Sequence, residues 1–216
     1  MSIASLVLGE SGTGKSSSLR NMAPAETLLI QAIKKPVPFR SEGWSYLSKD
    51  NKAGNIIVCD QSAQMIEMMR KTRRPVIVID DFQYVLANEF MRRSEERGYD
   101  KFSDIGRHAW DILTAASSLA DHARVYILSH TEQTETGRIK AKTIGKMLDD
   151  KITIEGMFSI VMRTAVINDQ YVFRTRNNGN DTTKTPIGLF DSETIDNDLA
   201  VVDVSIAAYY QLAQDA

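Results

Sequence analysis

Short apolar runs separated by polar stretches of helical period recur along the chain, and their order predicts alternating strands and helices. Ile3 to Leu8 is an apolar run that ends in a glycine-rich turn followed by Ser, Leu and Arg, a strand–loop–helix sequence. Thr27 to Ile30 predicts a second short strand. Pro36 and Pro38 stop it, because proline lacks the N–H that a central ladder needs. Asn55 to Cys59 is a third run, and Ser62 to Met69 has helical spacing with Met65, Met68 and Met69 on one face. Val76-Ile77-Val78-Ile79 is a continuous β-branched run between Pro75 and two aspartates, the pattern of a central parallel strand buried on both faces.

Phe82 to Arg93 predicts a helix, and the mixed charges of Arg92 to Asp104 predict a solvated helix or lid. Ile105, Ala109, Ile112, Ala116 and Leu119 form one helical face. Val125 to Leu128 predicts another buried strand, ending in Ser129-His130, with a polar loop over Thr131 to Lys142. Phe158 to Ile167 and Tyr171 to Arg176, joined through Asn168-Asp169, predict a β-hairpin. Asn177 to Thr185 predicts a mobile polar loop, and Asp203 to Ala213 a terminal helix. The expected fold is a single α/β domain over residues 1–216, with a mainly parallel sheet flanked by helices and a hairpin-rich C-terminal edge.

Composition narrows the class. The 216 residues are 43% hydrophobic and 25% charged, average globular usage that excludes disordered and low-complexity chains. With 26 basic and 28 acidic side chains the net charge is -2, so a globally basic nucleic-acid coat is excluded while a local basic groove is not. Cys59 is the one cysteine, which rules out an internal disulfide and a cysteine-based zinc site and predicts a core thiol. No apolar stretch approaches the roughly 18 residues of a membrane span, and the first residues lack the basic region and cleavage site of a signal peptide. A soluble, cytoplasmic protein is therefore expected.

One motif carries specific chemistry. Gly9-Glu10-Ser11-Gly12-Thr13-Gly14-Lys15-Ser16 satisfies the phosphate-loop pattern G-x-x-x-x-G-K-[ST] at every fixed position, between a predicted strand and a predicted helix, with Ser17 continuing it. Its glycines let backbone N–H groups approach phosphate oxygens, Lys15 is placed to reach the β- and γ-phosphates of ATP, and the Ser16 hydroxyl is placed to ligate Mg²⁺. The matching acid should end a neighbouring buried strand. Asp80, first after four apolar residues, is the candidate for Mg²⁺, and Asp81 either takes a direct role or caps the helix that follows. Beyond the next strand, His130 is a candidate γ-phosphate sensor or a structural residue, and Glu132 a candidate base.

The loop names the fuel and leaves the task open. Arg138, Lys140, Lys142 and Lys146 fall within nine residues without an acid, either a solvated basic loop or a nucleic-acid contact. Arg176 and Lys184, on or beyond the predicted hairpin, are candidates for a charge delivered in trans to a neighbouring subunit's γ-phosphate. Phe39, Trp44 and Tyr46 lie among Lys34, Lys35, Arg40 and Lys49, either a packed loop or a surface on which single-stranded bases stack.

Taken as a set, the phosphate loop, Lys35-Pro36-Val37-Pro38-Phe39, Ile79-Asp80-Asp81-Phe82-Gln83-Tyr84, Ser129-His130-Thr131-Glu132, Lys142-Thr143-Ile144-Gly145-Lys146 and Lys184-Thr185-Pro186-Ile187-Gly188 resemble phage-encoded P-loop ATPases related to the RecA-type core. Some such proteins belong to phage recombination modules and are similar to single-strand annealing proteins. The resemblance implies ATP- and Mg²⁺-dependent work on single-stranded DNA in the host cytoplasm, as a homo-oligomer with a single-strand DNA-binding protein as partner. One departure stands out: the strand after the first helix ends Leu29-Ile30-Gln31, where RecA-type ATPases usually place a catalytic Glu. A nucleotide-gated scaffold with little turnover is the alternative that this departure feeds. A small-molecule kinase, with Arg92, Arg93 and Arg97 as a lid, is a further one.

Overall fold

Alternation within the strands sets the layering. The computed structural model of the protein describes residues 1–144 and 152–212. Lys146 and the end of the predicted terminal helix at Ala213 lie outside the described residues. In β1 (Ile3–Gly9), β4 (Val76–Asp80) and β5 (Arg124–Gln133), successive side chains point to opposite faces. Leu6, Leu8, Ile77, Ile79, Val125 and Ile127 enter one apolar cluster, while Val7, Val76, Val78, Tyr126 and Leu128 enter the other. Both faces of the sheet are thus covered, which is why these strands read as unbroken apolar runs.

The first cluster is closed by α1 (Ser62–Lys71), α2 (Gln83–Arg92) and α3 (Asp100–Ala116), through Met65, Met69, Val85, Leu86, Ile105 and Ile112. The second is closed by α4 (Leu199–Tyr209), through Leu199, Val202 and Ile206, together with Leu19 and Trp44. Cys59 is buried at the edge of the first cluster, as its setting predicts. Among the described residues, no helix is long and apolar enough to cross a membrane.

The remaining strands are β2 (Thr27–Gln31), β3 (Ile56–Val58), β6 (Ile139–Ala141), β7 (Ile160–Ile167), β8 (Gln170–Arg174) and β9 (Thr194–Asp196). The order is β3-β2-β4-β5-β1-β7-β8-β9, with β6 paired to β5 outside this path. From β3 to β7 all pairings are parallel, and β7-β8-β9 is antiparallel. The protein is therefore an α/β fold with a mostly parallel mixed sheet flanked by helices. Its hairpin edge turns at Asn168 and Asp169, which both take positive φ (50° and 61°), as a two-residue hairpin turn of the primed type needs.

Several local expectations are corrected. The segment after the glycine-rich turn is a six-residue 3₁₀ helix, Ser16–Asn21, and not a full α-helix. Its cap, Met22, is already extended (ψ 143°) two residues ahead of Pro24, which restricts the residue before it to extended backbone. Thr131 to Lys142 is not a loop: β5 runs on to Gln133 and forms a hairpin with β6, with Glu132 opposite Lys140.

Asn177 to Thr185 is pinned and not free. Asp181 accepts from Arg163 Nε at 3.0 Å, Asn177 Nδ2 donates to Asp181 O at 2.6 Å, and Lys184 bridges backbone-to-backbone with Val161. Residues 94–100 are exposed, as the mixed charges predict, while Arg93 contacts Glu89, Glu96 and Asp104. The last helix begins at Leu199, capped by Asp198, whose Oδ1 accepts from Ala200 N at 3.0 Å. Asp203 lies inside this helix, buried, and binds Arg124 and Tyr126 of β5.

Candidate functional site

Strand order brings the sequence's candidates to one end of the sheet. β1 ends at Gly9, whose register partner on β5 is His130, and β4 ends at Asp80, level with Gln31 of β2. These carboxyl ends open on a cleft of about 440 Å³. Ser11, Gly12, Gly14, Lys15, Ser16 and Ser17 of the glycine loop line it, together with Lys35, Asp81 and His130. Ile33, Pro38, Tyr84 and Tyr171 supply the apolar remainder.

The loop depends on glycine at particular places. Gly14 has φ 97°, a conformation that costs other residues about 1–2 kcal/mol. A Cβ there would stand 3.0 Å from Asn197 Oδ1 and from Tyr171 Cδ1. A Cβ on Gly9 would overlap the Thr164 hydroxyl. Thr13 ties the loop to β7 through Thr164, with the two hydroxyl oxygens 2.6 Å apart, and also donates to Glu10 O at 2.8 Å.

Lys15 is 6% exposed and curls back, donating from Nζ to the carbonyls of Gly9 and Glu10, each at 2.8 Å. Burial pulls its pKa down to about 8, against the raising influence of Asp81 and Asp80. The next residue, Ser16, places its hydroxyl 2.9 Å from both carboxylate oxygens of Asp80. Asp80 is 1% exposed, and burial, followed by the charge of Asp81, holds its carboxyl above the ordinary range.

Asp81 does not cap α2. Its backbone takes φ 62°, which turns the chain so that Phe82 N–H donates to Leu128 O at 2.9 Å. Its side chain points into the cleft, against Lys35 Nζ and 3.4 Å from His130 Nε2. Burial pushes its carboxyl up, but the bonds from His130 and Lys35 outweigh this and hold it below the usual range. A non-glycine residue held at positive φ beside Lys35, Asp80 and His130 is a feature often found at functional sites.

An oxygen pair from Ser16 and Asp80 suits Mg²⁺, which keeps several waters and takes few protein ligands. No cluster of three or more metal-binding acids, histidines or cysteines occurs among the described residues.

The remaining candidates lie elsewhere. Glu132 does not line the cleft; its Oε1 is 3.1 Å from Lys140 Nζ across the β5–β6 hairpin. Arg138 and Lys140 line a separate cavity of about 270 Å³ together with Glu155 and Thr182, and Lys142 is exposed beside it. Arg176 donates to the carbonyls of Phe190 and Asp191, and Lys184 is exposed; neither lines the cleft. Gln31 is spent on structure: its Nε2 donates to Lys35 O at 3.1 Å, and its Oε1 accepts from Tyr46 OH at 3.2 Å.

Phe39 and Trp44 pack edge to face at 6.0 Å with Trp44 8% exposed, so this segment is a packed loop and only Tyr46 presents a ring, with Lys34 over it. Arg92 is bound to Asp60, and Arg93 within α2 and α3, so the two are not placed as a lid. The residue that the sequence reading did not place in the site is Lys35. Its signal was a cation held just past a strand end by Pro36 and Pro38, beside the strand that carries the two aspartates. No protein-family model matches the chain, and no curated protein matches it.

Proposed function

We propose that the protein binds a nucleoside triphosphate, ATP, with Mg²⁺, and uses it to act on single-stranded DNA as a RecA-type P-loop ATPase. The observation that carries the nucleotide reading is the apposition of Ser16 and Asp80 at the end of a glycine loop that Lys15 completes. Support for the RecA-type core comes from strand order: β5 stands between the loop strand β1 and the aspartate strand β4.

In this reading, loop N–H groups cradle the phosphates, and the Lys15 ammonium leaves its two carbonyls for phosphate oxygens. Ser16 Oγ and Asp80 would hold Mg²⁺, which when bound spreads and neutralises phosphate charge. His130, beside Gly9, orients Asp81 at the phosphate end of the cleft. Without nucleotide, Asp80 is engaged by Ser16 and Asp81 by Lys35 and His130, so neither is free to orient water, which supports slow turnover. That same observation favours the second reading, a nucleotide-gated scaffold. The DNA part rests on Arg138, Lys140 and Lys142 around one hairpin. Assembly into homo-oligomers, a role in phage recombination, a single-strand DNA-binding partner and a cytoplasmic location complete the proposal.

The deciding experiment is ATP hydrolysis by the purified protein with and without single-stranded DNA. Stimulation by DNA supports the ATPase reading. ATP bound without turnover, with or without DNA, selects the scaffold, and no ATP binding at all removes both. Asp80→Asn should abolish the gain in ATP affinity that Mg²⁺ gives, read by titration in Mg²⁺ and in EDTA; an unchanged gain would move the metal role to Asp81. Neutralising Lys140 and Lys142 together should lower the salt slope of single-strand binding by up to about 1.4, roughly 0.7 per phosphate contact. An unaltered slope would take the hairpin out of the DNA site.

A further inference from the structure

The cleft holds a second lysine that the phosphate-loop pattern does not account for. Lys35 follows β2 in the irregular segment before Pro36 and Pro38. Its ammonium contacts Asp81 Oδ2 and lies 3.6 Å from Asp80 Oδ2, in the cleft that Lys15 also lines. Its backbone carbonyl is anchored by Gln31 Nε2 at 3.1 Å and by Tyr46 OH at 3.2 Å. The side chain itself is 36% exposed. The anchor point is thus fixed while the four-carbon arm has room to swing.

We propose that Lys35 is a ligand of the terminal phosphate, parked on Asp80 and Asp81 until a triphosphate draws it across the cleft, and that it sets the preference for triphosphate over diphosphate. The proposal rests on the nucleotide reading above. Its first ground is electrostatic. A divalent cation at the Ser16–Asp80 pair brings two positive charges next to an ammonium only 3.6 Å from the same carboxylate. A cation and an ammonium that share one carboxylate repel each other, which favours release of the lysine. The tethered lysine moves by rotating its side chain, with no change in its backbone.

The second ground is where it can go. Among the described residues that line the cleft, the side chains charged as ammonium are Lys15, in the glycine loop, and Lys35, outside it. Lys15 approaches the β- and γ-phosphates from the loop, and Lys35, anchored past β2, is the second ammonium at hand for the outermost one. The third ground is charge balance. A magnesium triphosphate carries one more negative charge than a magnesium diphosphate, and one mobile ammonium matches that difference. A charge-assisted hydrogen bond between ammonium and phosphate is shorter and stronger than a neutral one.

Equilibrium titration with ATP and with ADP, both in Mg²⁺, tests this on the wild type, Lys35→Met and Lys35→Arg. Methionine keeps the length and removes the charge; arginine keeps the charge. The wild type should bind ATP more tightly than ADP. In Lys35→Met the ATP affinity should fall roughly tenfold to a hundredfold, with ADP affinity unchanged, which also shows that the loop is intact. Lys35→Arg should restore most of the difference. Equal losses for both nucleotides, or an ATP/ADP ratio unchanged in Lys35→Met, would overturn the proposal and leave the nucleotide reading standing. A wild type that binds neither nucleotide would overturn both.

Discussion

With Lys15 replaced by alanine, ATP affinity should fall at least roughly a hundredfold, since two charge-assisted hydrogen bonds to phosphate are worth about 1.5–3 kcal/mol each. Thermal stability should hold level or rise. The ammonium is buried against two carbonyls, and its pKa is depressed to about 8, so the folded protein strains to keep it charged. A lysine with a lowered folded-state pKa makes the unfolded chain the better proton binder between pH 8 and 10.5, so its contribution to stability rises with pH across that window. The variant lacks that term.

Binding has the opposite sign. Phosphate raises the lysine's pKa, so above pH 8 the free site must take up a proton to bind, and affinity should fall by up to about tenfold per pH unit. Titration calorimetry in two buffers of different ionisation heat measures that uptake. It should be present in the wild type and missing in Lys15→Ala; equal proton uptake in both would exclude Lys15 as the group concerned.

The largest effect on stability is expected at Asp203. Arg124 grips its carboxylate with Nε at 2.6 Å and a second guanidinium nitrogen at 2.9 Å, and Tyr126 OH donates to it at 2.6 Å. Both charged side chains are nearly closed off, at 11% and 12% exposure. Burial, helped by the carboxylate, keeps the Tyr126 phenol well above its ordinary pKa, so it stays a donor. Asp203→Ala leaves a buried guanidinium and a buried hydroxyl without their acceptor, at a cost of about 3–5 kcal/mol. That corresponds to a drop in Tm of roughly 10 °C for a domain of this size. Adding Arg124→Met to Asp203→Ala should recover part of the loss, because the stranded charge is then gone. A single-variant loss under about 1 kcal/mol by chemical denaturation would show that water reaches the pair.

These two sites differ in how visible they are in the sequence. The glycine loop is legible because its pattern fixes four positions within eight residues, and the strands because burial on both faces leaves only apolar side chains at positions 76–79 and 125–128. Asp203 is hidden: an acid in a helical pattern reads as solvated, and only the return of α4 onto β5 gives it partners. Lys35 is hidden for the same reason, since its partners stand at the end of another strand, some 45 residues along the chain.

The β5–β6 hairpin is hidden in the sequence because its residues past His130 are polar and carry no apolar alternation. The start of α4 is legible from Asp198, an acid in the N-cap position that apolar spacing alone passes over. Glu132 was placed by its proximity in sequence to His130. The pleat of β5 and its pairing with Lys140 direct it elsewhere.

The position of β5 between β1 and β4 also governs how the chain emerges from the ribosome. The loop strand is made first, yet its neighbours come late: Ile3 waits for Arg124 on one side, and Ser5 for Ile160 on the other. At about 5–20 residues per second, that leaves a fully apolar segment unpaired for roughly 6–24 seconds of synthesis. Until then β2, β3 and β4 can associate among themselves, but the glycine loop has no frame to hold it. The nascent protein is therefore expected to engage holding chaperones through Leu6-Val7-Leu8, and to acquire its cleft only when most of the chain has been translated.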